Sequence, residues 1–265
     1  MKKRTSAWRR VGRVVVWCVL AAVVVFALQL TVLAYPQPFF SDRARAGAVT
    51  LYSDATGELP LDSLAWEADR RLRASDLYDS TRNDRVFLIH NEGTFRFFAR
   101  ISFLRPDLQG FNLSLFDNSF INLSRIQRMA ANSNDAPDFS IREGDIAHIV
   151  VHEIAHGYLA DRIGRSAWKR LPLWKQEGYP EYVANIAEIR ATDRAALVDR
   201  IDVLNDEDIW RSRRSHARVH YEAELLWEYL LEVKGYSIME IVADSVTRED
   251  VHRELLVWYD RQKSQ

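Results

Sequence analysis

The stretch His148–Gly164, HIVVHEIAHGYLADRIG, decides how this chain is read. Its apolar residues predict a helix from Ile141 to about Ile163, with Asp138 or Ser140 as the candidate cap and Gly164 as the stop. Within it, His152, Glu153 and His156 spell H-E-x-x-H. Residues four apart share a helix face, so both imidazoles can reach one metal ion at a spacing that suits tetrahedral zinc. Glu153 stands one step round the helix, off that stack but within reach of a water on the ion, where a general base belongs. His148, one turn earlier, either flanks the site or fills space. The plainer alternative is a buried helix whose histidines are hydrogen-bonded core residues.

A catalytic zinc takes three protein ligands and keeps one position open. A metzincin would place Gly and His where this chain has Leu159 and Arg162, so that class is excluded. A cysteine ligand is also excluded, because the sole cysteine, Cys18, lies in the N-terminal apolar run. Beyond the motif comes LPLWKQEGYPEYVAN (Leu171–Asn185), expected to start a second helix near Leu173. Glu177 is its candidate third ligand. Glu181, one turn on, is a candidate for orienting a ligand histidine. It becomes the ligand itself if Pro180, which should kink the helix, turns Glu177 away.

Together, VVHEIAH (Val150–His156) and PLWKQEGYPEYVA (Pro172–Ala184) resemble the gluzincins of the peptidase MA-like group, most closely the alanyl-aminopeptidase type with its W-x-x-E-G-x-x-x-Y. The gap between the two motifs is about two residues longer here. The resemblance implies His152, His156 and Glu177 as zinc ligands and Glu153 as base. It also implies a later helix whose tyrosine stabilises the oxyanion, for which Tyr221 is the match; His220 is its candidate helper. The likeness is strongest over His148–Val183 and reaches about Ala243. The aminopeptidases' G-x-M-E-N strand has no counterpart, so their specificity is not implied. The corresponding stretch, FDNSFINLS, reads as part of a hairpin turning at Asp117-Asn118, and it could line a cleft for an extended peptide.

Outward from the motif, the clearest feature is the uncharged run Val14–Tyr35, interrupted only by Gln29 and Thr31. It is long enough to cross roughly 30 Å of hydrocarbon. The basic residues before it favour a cytoplasmic N-terminus; a cleaved signal peptide is the competitor. Either way the bulk of the chain is placed outside the cytoplasm, periplasmic or extracellular. With a net charge of −1 over 265 residues and no basic stripe, there is no electrostatic footprint for nucleic acid.

The expected organisation is a basic tail (1–13), a transmembrane anchor (14–35), a linker (36–60) and one gluzincin-like domain (61–265). Helix is expected at Leu61–Leu77, strand at Arg85–His90, and a helix capped by Thr94 after it. Thr247 with Asp250 should cap the last helix. The fold class is α+β, zincin-like, a small mixed-sheet lobe followed by a mainly helical one. The function expected is membrane-anchored, zinc-dependent hydrolysis of peptide or protein substrates. The alternatives are a non-catalytic zinc-containing peptide-binding module, or a membrane-anchored scaffold with a fortuitous motif. Substrate and oligomeric state are not readable.

Overall fold

The computed structural model describes residues 4–132, 146–192, 194–211 and 215–264. The chain is α+β, mostly helical with a small mixed sheet. It begins with α1 (Arg4–Ala34) and a short 3-10 turn (Gln37–Phe39), then β1 (Asp42–Ala46), β2 (Val49–Ser53), α2 (Leu61–Leu72), β3 (Asp84–Ile89) and α3 (Glu92–Ile101). The hairpin β4 (Gly110–Leu113) and β5 (Asn118–Asn122) leads into α4 (Leu123–Asn132) and α5 (Ile146–Ile163). After α5 come α6 (Arg165–Trp168), α7 (Leu173–Ala191), α8 (Arg194–Asn205) and α9 (Glu207–Arg211). The chain ends with α10 (Ser215–Glu228), continued by one π-helical turn, then α11 (Ile238–Val242) and α12 (Arg248–Lys263).

The sheet order is β1-β2-β3-β5-β4. Its inner pairs β2–β3 and β3–β5 are parallel, and the two outer pairs are antiparallel. Side chains alternate across a strand, and β3 shows it. Val86 and Leu88 join the core shared with α2, α5, α7 and α10, while Phe87 and Ile89 face an aromatic cluster with Phe95, Phe98 and Phe120. The last turn of α1 is part of that second cluster through the buried Leu33. The Leu33 carbonyl accepts from buried Asn118 Nδ2 at 2.7 Å, and the Ala34 carbonyl from Arg85 Nη1 at 3.3 Å. Gly12–Ala34 is long and apolar enough to cross a membrane, as an anchor or a signal sequence.

The segment 36–60 is not a linker: it supplies β1 and β2. Charged Arg43 and Arg45 on the edge strand β1 conceal a single buried residue, Ala44, while β2 is buried throughout. Hairpin and helix are tied by Asp69 of α2, which accepts from the Ala48 amide (3.0 Å) across Gly47 (φ +51°). A side chain at Gly47 would run into that carboxylate. The Leu61 helix stops at Leu72 rather than Leu77. Asn91, not Thr94, caps α3, its Oδ1 accepting from the amides of Gly93 and Thr94. The hairpin turns where expected, with Asp117 at φ +50°. Gly164 ends α5 at φ +86°, Pro172 precedes α7, and Thr247 caps α12. The start of the motif helix before Ile146, with Asp138 and Ser140, lies outside the described residues.

Candidate metal centre

Two ladders of side chains face each other at the centre of the helical layer. Helix α5 presents His148, His152 and His156, and α7 presents Glu177, Glu181 and Asn185, each set spaced by four. The helices meet in opposite register. His156 Nε2 lies 3.4 Å from Glu177 Oε2, His152 Nδ1 lies 3.2 Å from Glu181 Oε1, and His148 Nδ1 lies 3.2 Å from Asn185 Oδ1. Arg82 fixes how α5 sits on the sheet. It reaches Asp161 of α5 (2.6 Å), Asp84 of β3 (3.1 Å) and Asp117 of the β4–β5 turn (2.9 Å). Burial outweighs that arginine and pushes the Asp84 carboxyl up to about 6.

Three of these atoms converge. His152 Nε2 and His156 Nε2 are 3.1 Å apart, and each is 3.4 Å from Glu177 Oε2. A tetrahedral ion with bonds of about 2.0–2.1 Å needs ligand atoms about 3.3–3.4 Å apart. The triangle is therefore of the right size, and two imidazoles with one carboxylate are the right donors. Each of the three side chains keeps a small solvent-exposed fraction. This cluster could hold a metal ion. Two further groupings have metal-ligating geometry: His148, His152 and Glu181, and His152 and Glu177 with His220, whose Nε2 is 3.9 Å from Glu177 Oε2.

Behind the triangle, the fully buried Glu181 carboxylate accepts from three imidazoles: His148 Nε2 (2.9 Å), His220 Nδ1 (2.8 Å) and His152 Nδ1 (3.2 Å). With Nδ1 of His152 so engaged, its Nε2 is the nitrogen aimed at the triangle, a usual arrangement for a metal-bound histidine. Burial opposes the charge on Glu181, but His152 and His148 hold it well below the usual carboxylate range. For Glu177, burial is likewise overcome by hydrogen bonds from His152 and His156. The His152 imidazole loses hydration on burial, yet Glu181 and Glu177 raise it well above its ordinary value. A site that attracts a proton this strongly also attracts a cation, which must displace that proton to bind.

Glu153 lies outside the triangle, buried against the start of β4. A Cβ on Gly110 would lie 2.5 Å from Glu153 Oε1, so only a bare backbone lets the carboxylate rest there. Burial pushes the Glu153 carboxyl up, against the pull of His156 and His152.

One alternative falls away and one expectation changes. Pro180 does not divert Glu177: α7 runs through it from Leu173 to Ala191, and Glu181 takes the Nδ1 side of His152 rather than the Nε2 side. Tyr221 is not at the site. Its hydroxyl donates to the Arg200 carbonyl at 3.0 Å and its ring packs on Trp210, so the α10 residue facing the triangle is His220. Gly178 explains that choice of face. A side chain there would lie 2.5 Å from the Ala223 carbonyl and strike the Trp227 ring, so α10 approaches α7 along the stripe His220, Ala223, Trp227. Asn185 and Gly110 went unrecognised in the sequence; for Asn185 the signal was its place one turn beyond Glu181.

No family model matches the chain, and no curated protein matches it.

Proposed function

We propose that the chain is a membrane-anchored zinc metallopeptidase of gluzincin type. The carrying observation is the triangle of His152 Nε2, His156 Nε2 and Glu177 Oε2 with Glu153 beside it. Zinc held by these three residues would supply a Lewis acid that polarises the scissile carbonyl and lowers the pKa of water. Glu153 takes the proton from the attacking water and delivers it to the leaving amine. His220, with its Nδ1–H held by Glu181, would act as an imidazolium and donate its Nε2–H to the developing oxyanion, the role the resemblance implies for Tyr221. Edge strand β4 offers its outer side to an extended peptide alongside Glu153.

The apolar helix is read as a retained anchor, with the N-terminus cytoplasmic and the domain outside. Removing it would strip the aromatic cluster of Leu33 and leave buried Asn118 Nδ2 without its carbonyl. Such an unpaired buried group costs about 1–3 kcal/mol.

The full chain in detergent should contain one zinc per molecule and cleave members of a peptide library, with activity lost to a chelator and regained with zinc. Stoichiometric metal without cleavage across the library would leave a binding module. Absence of stoichiometric metal would leave a scaffold.

Gly110→Ala isolates the base. Its methyl group strikes the end of the Glu153 side chain at 2.5 Å and crowds the Phe120 carbonyl by only a few tenths of an ångström, at 3.2 Å, so fold and zinc content should persist. Turnover should drop on the order of 100-fold, the scale expected for misplacing a reacting group by about 1 Å. Unchanged kcat in a correctly folded variant would remove Glu153 from the mechanism.

A further inference from the structure

The anchor is not the only surface suited to lipid. Gln29, the polar interruption of the apolar run, donates from Nε2 to the carbonyl of Ile101, the last residue of α3. Carbonyls in the last turn of a helix lack partners within it, so this contact satisfies one and also fixes a depth. The apolar span Gly12–Ala34 has 23 residues, about 35 Å of helix against about 30 Å of hydrocarbon. Gln29 therefore lies within about a turn of the hydrocarbon boundary, and the end of α3 lies level with it.

At that level α3 presents exposed apolar side chains alongside the exposed Arg96 and Arg100, cations suited to a headgroup layer. Phe97, one turn before Ile101, is exposed, and its ring lies 6.2 Å from that of exposed Phe39, in the turn that leaves α1. The helix then ends through Phe103, whose amide donates to the Arg100 carbonyl (3.0 Å), and Leu104, whose amide donates to the Ala99 carbonyl (2.9 Å). Phe103 adopts φ +58°, the left-handed conformation that such helix ends ordinarily assign to glycine. It is also 82% exposed. A bulky ring in a strained position, outside the core and facing solvent, does nothing for the fold. Placed level with Gln29, it has a partner.

We propose that Phe39, Phe97, Phe103 and Leu104 insert into the interface of the bilayer from which α1 emerges, giving the domain a second membrane contact that fixes its tilt. The partner is lipid, at the headgroup–acyl boundary reached by interfacial apolar elements about 5–10 Å deep. Continuity with the anchor favours it over a second copy of the chain. The inference rests on α1 being kept as the anchor.

The test uses the full chain with Cys18→Ser, reconstituted in phosphatidylcholine vesicles and carrying one nitroxide on Phe103→Cys or Leu104→Cys. Val23→Cys in the span and Ser63→Cys on α2 serve as hydrocarbon and water references. At 103 and 104, the ratio of oxygen to nickel-chelate collisions should exceed that at 63 severalfold and approach that at 23. Nickel access equal to that at 63, with a hydrocarbon signature at 23, would overturn the inference and spare the anchor. Protection from both reagents would also overturn it; spin–spin broadening removed by unlabelled protein would then identify a second copy as the cover. A water signature at 23 would overturn both readings.

Discussion

Glu153→Gln is expected to fold, to keep its zinc and to lose about 10²–10⁴-fold in kcat, the usual contribution of a positioned acid–base group. The amide matches the carboxylate in shape, so the space against Gly110 stays filled. It cannot accept the proton of an attacking water. Glu153 is no member of the metal triangle, so zinc content should match the parent. Burial already disfavours the charged carboxylate, so the neutral amide should leave thermal stability unchanged or slightly raised. Parallel measurement of metal content, melting temperature and peptide turnover separates the alternatives. Full activity in this variant would exclude Glu153 as base, and lost zinc would mean that the glutamate ligates after all.

The metal triangle was legible because its members repeat at helical spacing. His152 and His156 lie one turn apart, and Glu177 follows a Pro172 that starts α7 in the expected place. The membrane-length helix and the β4–β5 turn were legible for similar local reasons. Less legible were features set by contacts between elements. In β1, two exposed arginines flank a single buried alanine, a pattern no different from a solvated linker until β2 pairs with it. Tyr221 and His220 are adjacent and so point about 100° apart on a helix. Which of them meets α7 depends on how α10 is rotated, and that is settled by close approach at Gly178. The resemblance pointed to the tyrosine; the packing selects the histidine. The stripe His220, Ala223 and Trp227 facing a glycine would have been the clue.

Glu177→Ala and Glu181→Gln should differ in kind, and the contrast tests the whole arrangement. Glu177→Ala removes one of the three proposed ligands and leaves two imidazole nitrogens 3.1 Å apart with nothing anionic between them. Zinc should be lost on gentle dialysis, and activity with it. Glu181→Gln leaves the triangle intact but replaces the shared acceptor of His148, His152 and His220. The amide oxygen can still accept from one or two rings, while its NH2 group confronts an imidazole N–H with no acceptor. One buried donor should then go unpaired, at about 1–3 kcal/mol of stability. Zinc affinity should fall by about 10–100-fold, as when a partner behind a ligand histidine is removed. Saturating zinc should refill Glu181→Gln, yet kcat should stay low, because His220 has lost its orienting partner while the metal has returned. Titrations of metal and of activity against added zinc distinguish the two variants. Complete recovery of kcat by added zinc in Glu181→Gln would confine Glu181 to holding His152 and remove His220 from the reaction.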